Sequence, residues 1–378
     1  MEENNLKMCA RCIFDENVPE ISFDEEGVCN YCRQTEELER EYPTGKKGEE
    51  IFKKLVQDVK KEGRGKPYDC VVGVSGGCDS SYLVYIAKKY GLRPLAVHFD
   101  NTWNSTTATE NIRFVLQKLK VDLYTYVMNN EEFNDMARSF LEASVPEIDA
   151  LSDIALTTVL YMAADKYKIK YMFNGHNFRT EGMMPLGWFY FDGKYVADIH
   201  QKFGTVKMET YPNLWLSRWL KYLLFTRVKR IRPLYYMDYD KAKVKKFLHK
   251  KFGWNWYGGH HMENKYTLFC DNYIMPVKFG IDMRYVEFSA LIRSGQMTKK
   301  QALEEIMKPP PVEAELLEEV KKRLGYTDKK FKKIMALPCK SAKDYKTYHK
   351  TFQIMQPFFY LMLKADLIPK SFYLKYTK

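Results

Sequence analysis

The stretch Val71-Val-Gly-Val-Ser-Gly-Gly-Cys-Asp-Ser-Ser-Tyr-Leu83 constrains the fold more than any other part of the chain. An apolar run ending at Val74 reads as a strand buried on both faces, and the residues after it read as the first turns of a helix. Between them the backbone must close sharply at Gly76-Gly77, where the missing side chains allow unusual φ and close approach of a ligand. Backbone N–H groups, the hydroxyls of Ser75, Ser80 and Ser81, and the positive end of the helix then converge into a cradle for phosphate. The spacing has neither the Gly-Lys-Ser/Thr of a Walker A loop nor the G-x-G-x-x-G of a dinucleotide site.

The alternation continues on both sides of this loop. Strand patterns at Cys70–Val74, Leu95–Phe99, Val121–Val127 and Lys170–Phe173 are separated by helical ones such as Ser80–Tyr90 and Asp149–Tyr167. Strand alternating with helix predicts an α/β fold with a doubly wound parallel sheet. A charged helical stretch, Gln34–Pro67, precedes it. Beyond Tyr239 helical segments dominate: Lys241–Lys251, Tyr285–Gly295, Lys299–Met307, Val312–Leu324 and Thr351–Lys364, with Pro309-Pro-Pro311 as stiff punctuation. The expected units are a zinc-ribbon module at 1–45, a helical connector at 46–67, a nucleotide-binding domain at 68–238 and a helical substrate or partner region at 239–378. The apolar face Leu214, Leu216, Trp219, Leu220, Leu223, Leu224 is expected to serve packing or a partner rather than a membrane.

Four of the eight cysteines form two pairs, Cys9-x-x-Cys12 and Cys29-x-x-Cys32, with sixteen residues between them. Two such knuckles set four thiolates around Zn²⁺, and with no open position the ion is structural; an iron–sulfur centre is the alternative. Unpaired, scattered Cys70, Cys78, Cys270 and Cys339 argue against a disulfide framework and for a reducing compartment. The formal net charge of +12 favours polyanions or small anionic substrates. No apolar run approaches the ~18 residues of a membrane span, and a cytoplasmic location is expected.

Ligands in open α/β sheets bind at the carboxyl ends of the strands. Asp100 and Asn101, after the second strand, are therefore candidates for ribose or adenine. After the fourth, Phe173-Asn-Gly-His-Asn-Phe-Arg-Thr-Glu-Gly182 offers Gly175 for close approach and His176, Arg179 and Glu181 for charge stabilisation or positioning of the acceptor. Arg230-Ile-Arg-Pro-Leu234 resembles a segment found near the last strand of such nucleotide-binding folds, and that resemblance makes Arg232 a weaker candidate. The segment Tyr257-Gly-Gly-His-His-Met-Glu-Asn264 places Tyr257, His260, His261 and Glu263 near flexible glycines; with Lys278 and Arg284 it has the aromatic faces and cations that sugars, carboxylates and diphosphates require.

The S-G-G-x-D-S segment resembles the PP-loop of the ATP pyrophosphatase superfamily, which has a HUP-like fold, cleaves ATP between the α- and β-phosphates and transfers AMP to an oxygen. Together with Cys9-Ala-Arg-Cys12, Gly175-His-Asn177 and the block from Tyr257 to Arg284, the chain resembles the N-acetyl sugar amidotransferase family of WbpG and PseA type. The resemblance implies an enzyme that converts a sugar acetamido group to an acetamidino group with ATP, Mg²⁺ and ammonia, for lipopolysaccharide O-antigen or for flagellin glycosylation with pseudaminic acid-type sugars. Asp79 would touch Mg²⁺ or order the pyrophosphate. The family draws ammonia from a HisH-like glutaminase through a HisF-like partner. A tRNA-modifying PP-loop enzyme, for thiolation or lysidine-type chemistry, is the alternative; single cysteines near the loop and interspersed acidic charge make nucleic acid the lesser expectation.

Overall fold

The computed structural model describes residues 6–259 and 262–377. Its centre is β1 (Cys70–Gly73), flanked on one side by β2 (Pro94–Asp100) and β3 (Leu123–Val127), and on the other by β4 (Tyr171–Phe173) and β5 (Lys229–Ile231). All pairings are parallel and the order is β3-β2-β1-β4-β5.

Alternate residues along the central strands enter two different cores. Val71, Leu95, Val97 and Met172 face one layer; Cys70, Val72, Ala96 and Phe173 face the other. The second layer is built on Phe52 and Val56 of α2 (Gly45–Glu62), Leu83 and Ile86 of α3 (Cys78–Lys89) and Ile112 of α4 (Thr106–Leu119). The first holds α5 (Asn130–Ala143), α6 (Ala150–Lys166) and α7 (Gly193–Phe203). This is the expected doubly wound α/β sheet, and burial on both faces is why its central strands β1 and β2 read as continuous apolar runs.

The C-terminal helices do not form a core of their own. Leu316, Val320, Phe352 and Phe359 belong to the same cluster as Val71 and Leu95. Trp219 stacks on Phe359 at 5.4 Å and meets Phe352 and Phe372 edge-on, so the Leu214–Leu224 stretch packs inward, while Leu224 and Phe225 remain exposed. No helix among the described residues is long and apolar enough to cross a membrane.

Two expected helices are broken. The charged stretch becomes α1 (Asn30–Glu41) and α2, separated around Pro43, and Thr351–Lys364 becomes His349–Ile354 and Gln356–Lys364. Each break has a proline near it, which removes a helical N–H and disfavours α geometry in the residue before it.

Candidate active site

In this order the chain leaves β1 towards β2 on one side and later returns to β4 on the other, so the carboxyl ends of β1 and β4 flank the switch point where open sheets bind ligands. A pocket lies there, lined by Ser75, Gly77, Asp79 and Ser80 after β1 and by Asn174, Gly175, His176 and Glu181 after β4.

The loop is stitched into shape by its own hydroxyls. Gly77 N donates to Ser75 Oγ at 3.3 Å, Ser75 N donates to Ser80 Oγ at 3.3 Å, and Ser80 Oγ donates to the Gly77 carbonyl at 3.3 Å. Gly76 has φ +83°, and a Cβ there would meet the Ala108 carbonyl oxygen at 2.3 Å. Its own carbonyl accepts from Trp254 Nε1 (2.9 Å) and Asn111 Nδ2 (3.3 Å). Gly76→Ala is therefore expected to displace the loop. It should weaken ATP binding by tenfold or more, measured by titration calorimetry, with zinc content unchanged, because backbone must move to admit a methyl group at that contact.

Glu263 roofs the cradle. Its Oε1 accepts from Ser75 Oγ at 3.1 Å, whereas Oε2 is cut off from solvent with no hydrogen-bond partner. Asn177 Nδ2 and Thr180 Oγ1, in the loop after β4, are buried and unpaired in the same way. An unpaired buried polar atom costs ~1–3 kcal/mol, and Glu263 Oε2, on a residue that lines the pocket, is one that a donor on a bound ligand would satisfy.

Opposite the roof lies a cluster of charge. Asp79 Oδ1 accepts a short hydrogen bond from the Tyr239 hydroxyl, and Lys241 Nζ stands 3.6 Å from Asp79 Oδ2. Burial and then the charge of Asp79 hold the Glu181 carboxyl well above its ordinary range. Burial opposes the charging of Lys241, but Asp79 and Glu181 outweigh it and keep the ammonium protonated. His176 Nε2 donates to the Gly182 carbonyl (2.9 Å), which leaves Nδ1 to accept from the Tyr235 hydroxyl (3.0 Å).

Other expected site residues do not reach the pocket. Arg179 donates to the carbonyls of Tyr42 and Tyr235 at 2.8 Å each, tying the loop to the connector before α2. Lys278 Nζ is spent on the carbonyls of Ile334, Met335 and Leu337, and Arg284 on Asp282 and the carbonyls of Glu305, Ile306 and Lys308. Both cap helix ends, where carbonyls lack intrahelical partners. Arg232 stacks over Tyr235. Ser81 is buried in α3, and Asn101 is buried among Ser152, Trp103 and Asn264. Asp100 caps Thr102 N and binds Asn104, on a separate groove beside α4. His260 and His261 lie outside the described residues. Sequence reasoning missed Lys241, Tyr239 and Asn111.

The four paired cysteines converge as expected. All are buried and their sulfurs lie within 4.8 Å of one another, with Cys9–Cys32 and Cys12–Cys29 at 3.8 Å. A tetrahedron with the ~2.3 Å Zn–S bond has edges of about 3.8 Å, so the set is compatible with one structural zinc ion. It is too tight for several irons. Arg293, itself buried, donates to Cys32 Sγ (3.2 Å) and Cys12 Sγ (3.3 Å).

Residues 263–358 match the family described as "LPS biosynthesis protein WbpG-like, C-terminal domain". The match begins at Glu263, the carboxylate bonded to Ser75. The uncharacterized protein MJ1599 of Methanocaldococcus jannaschii is 24% identical over 317 residues, which cover 83% of this chain and 98% of that protein. A probable mitochondrial tRNA-specific 2-thiouridylase of Caenorhabditis elegans is 26% identical over 122 residues, 28% of this chain and 32% of the other. Among solved structures, NMN synthetase from Francisella tularensis aligns over 78% of this chain and 98% of its own, at 16% identity and a TM-score of 0.34. NH3-dependent NAD synthetase from Campylobacter jejuni aligns over 77% and 97%, at 11% identity and a TM-score of 0.32.

Proposed function

We propose that this chain is an ATP-dependent amidotransferase that adenylates the acetamido oxygen of a bacterial diacetamido sugar and replaces it with ammonia, releasing pyrophosphate and AMP. The observation that carries the reading is Glu263: the first residue matched to the WbpG-like domain is bonded into the serine–glycine cradle, so the segment that matches this family meets the segment suited to phosphate.

An amide carbonyl is a weak electrophile with no leaving group, and adenylation supplies one. Ser75, Gly76, Gly77 and Ser80 would receive the departing pyrophosphate at the N-terminus of α3. Asp79 and Glu181 are the carboxylates that would hold Mg²⁺, which neutralises phosphate charge when bound. Lys241 and the fixed donor array of the loop balance the remaining anionic charge. His176, oriented by Tyr235 and Gly182, faces the same pocket. Ammonia then displaces AMP, and a HisH-like glutaminase with a HisF-like channel would supply it.

The test is incubation with ATP, ammonium and a panel of diacetamido sugars, read by mass. Exchange of oxygen for NH lowers the product by about one dalton, as the amide-to-amidine reaction requires. Because NH₃ and not NH₄⁺ is the nucleophile, the ammonium-driven rate should rise with pH. Pyrophosphate release with no sugar-dependent mass change would overturn the acceptor assignment. The thiouridylase likeness raises tRNA thiolation as a second reading; it needs a reactive thiol near the loop, but burial and then Asp79 push the Cys78 thiol up to about 12. Sulfur transfer to tRNA by the purified chain would reverse this ranking.

A further inference from the structure

β3 is the outermost strand at one end of the sheet, and its residues Leu123-Tyr-Thr-Tyr-Val127 alternate between exposed and half-buried. Its hydrogen-bonding phase follows from its flanks. The Asp122 carbonyl accepts from Ala96 N and Met128 N donates to the Asp100 carbonyl, both at 3.0 Å, so Tyr124 and Tyr126 turn their backbone groups inward to β2. The N–H and C=O groups of Leu123, Thr125 and Val127 point outward, and no hydrogen bond among the described residues takes them. The side chains of these three residues are exposed too, Leu123 by 45% and Val127 by 61%. Leu123 and Thr125 border a groove of about 530 Å³ under α4, with Ile112 and Leu116 on its far wall.

An open, uncharged, apolar edge is a template for another strand. Proteins normally blunt such edges with charge, proline or a bulge, and this strand has none of them. What it has is symmetry: Leu-Tyr-Thr-Tyr-Val reads nearly the same in both directions about Thr125. Laid antiparallel on a second copy across a two-fold axis at Thr125, Thr125 opposes Thr125 and Leu123 of each copy opposes Val127 of the other. These are the outward-facing positions, so every free N–H and C=O of both strands finds a partner, and apolar side chains oppose apolar ones. A one-residue slip would present the inward groups of Tyr124 and Tyr126 instead. The same pairing brings Lys120, before the strand, towards the exposed Glu131 beyond the strand of the other copy.

We infer that β3 is a homodimerisation edge, joining two copies by antiparallel β3–β3 pairing into one continuous sheet. The two-fold is isologous and closes at two chains. Because the strands of the two copies run in opposite directions, the phosphate pockets lie at opposite ends of the joined sheet and both stay open to acceptor and ammonia donor.

Sedimentation velocity of the full chain across the micromolar range is expected to give twice the chain mass. Thr125→Lys sets two ammonium groups against each other at the axis and should return the mass to that of one chain, with an unchanged circular dichroism spectrum. In a Cys339→Ser background, Thr125→Cys should form a covalent dimer under mild oxidation, since directly opposed Cα atoms at about 5.5 Å are within disulfide reach. Its peptide map should join position 125 to position 125. A monomeric wild type, a dimer that persists in folded Thr125→Lys, or the absence of that cross-link would each overturn the inference. Should Thr125→Lys fail to fold, the cross-link decides.

Discussion

Asp79→Asn and Glu181→Gln should each slow pyrophosphate release by roughly 10²–10³-fold, the size of effect seen when one group aimed at developing charge is removed. Neither change alters volume, and both residues sit at the pocket and not in the layers that hold the sheet. Asp79 occupies the first turn of α3, where the helix end would attract phosphate; its carboxylate, fixed by Tyr239 and Lys241, would let a cation share that place. Removing the negative charge leaves Lys241 buried with one counter-charge fewer, so ATP would be held by loop and lysine alone, without a metal to neutralise it. Tyr239→Phe removes only a hydrogen bond to Asp79 and should have a smaller effect. Pyrophosphate release, followed with ATP and an acetamido sugar, checks this series, and melting temperature checks the fold. Normal turnover in Asp79→Asn would remove the cradle from the chemistry.

What was legible in the sequence was local in the sequence. The thiolate pairs and the Ser75–Ser80 loop place their functional atoms within a few residues, so spacing alone nearly determines where they end up. Continuous apolar strands announced burial on both faces and therefore a parallel sheet. Lys278 and Arg284 were misread because chemical type does not reveal direction: each was a plausible anion ligand, and each instead caps carbonyls of distant helices. Lys241 was hidden for the opposite reason. It opens a helix reading Lys-Ala-Lys-Val-Lys-Lys, and only the tertiary fold selects that one lysine for burial against Asp79. Asp240 caps the start of this helix by accepting from Lys243 N, but nothing local says which face meets the loop. Trp254 and Asn111 bind the Gly76 carbonyl across long stretches of chain, and such contacts have no sequence period to betray them.

Removal of the metal should reach farther than the N-terminal module, and Arg293 is the reason. Its guanidinium is buried against Cys12 and Cys32 and lies over the Phe14 ring, so the negative charge of a metal–tetrathiolate centre there would be its counter-ion. Chelation lets the thiols protonate and leaves that cation buried without compensation, a defect worth about 3–5 kcal/mol when one partner of a buried pair is lost. Arg293 ends the helix Arg284–Arg293, and Val286 of that helix packs in the cysteine cluster. The Val286 carbonyl oxygen lies where a Cβ on Gly182 would approach it to 2.7 Å, and the Gly182 carbonyl is the acceptor that orients His176. Glu287, next along the helix, adds its field at Lys241. The helix thus touches both the cysteine cluster and the loop after β4, so loosening it at one end is expected to weaken binding at the other. Arg293→Ala should speed zinc release to a chelating dye by 10–100-fold, the range found when groups bonded to metal ligands are removed. Arg293→Lys should recover only part of this, because a single ammonium cannot reproduce the fork that spans two sulfurs. Both variants, and the chelated wild type, should bind ATP several-fold more weakly while the sheet keeps its melting transition. Unchanged zinc release in Arg293→Ala, or ATP affinity indifferent to chelation, would separate the two centres and reduce the cysteine module to an independent appendage.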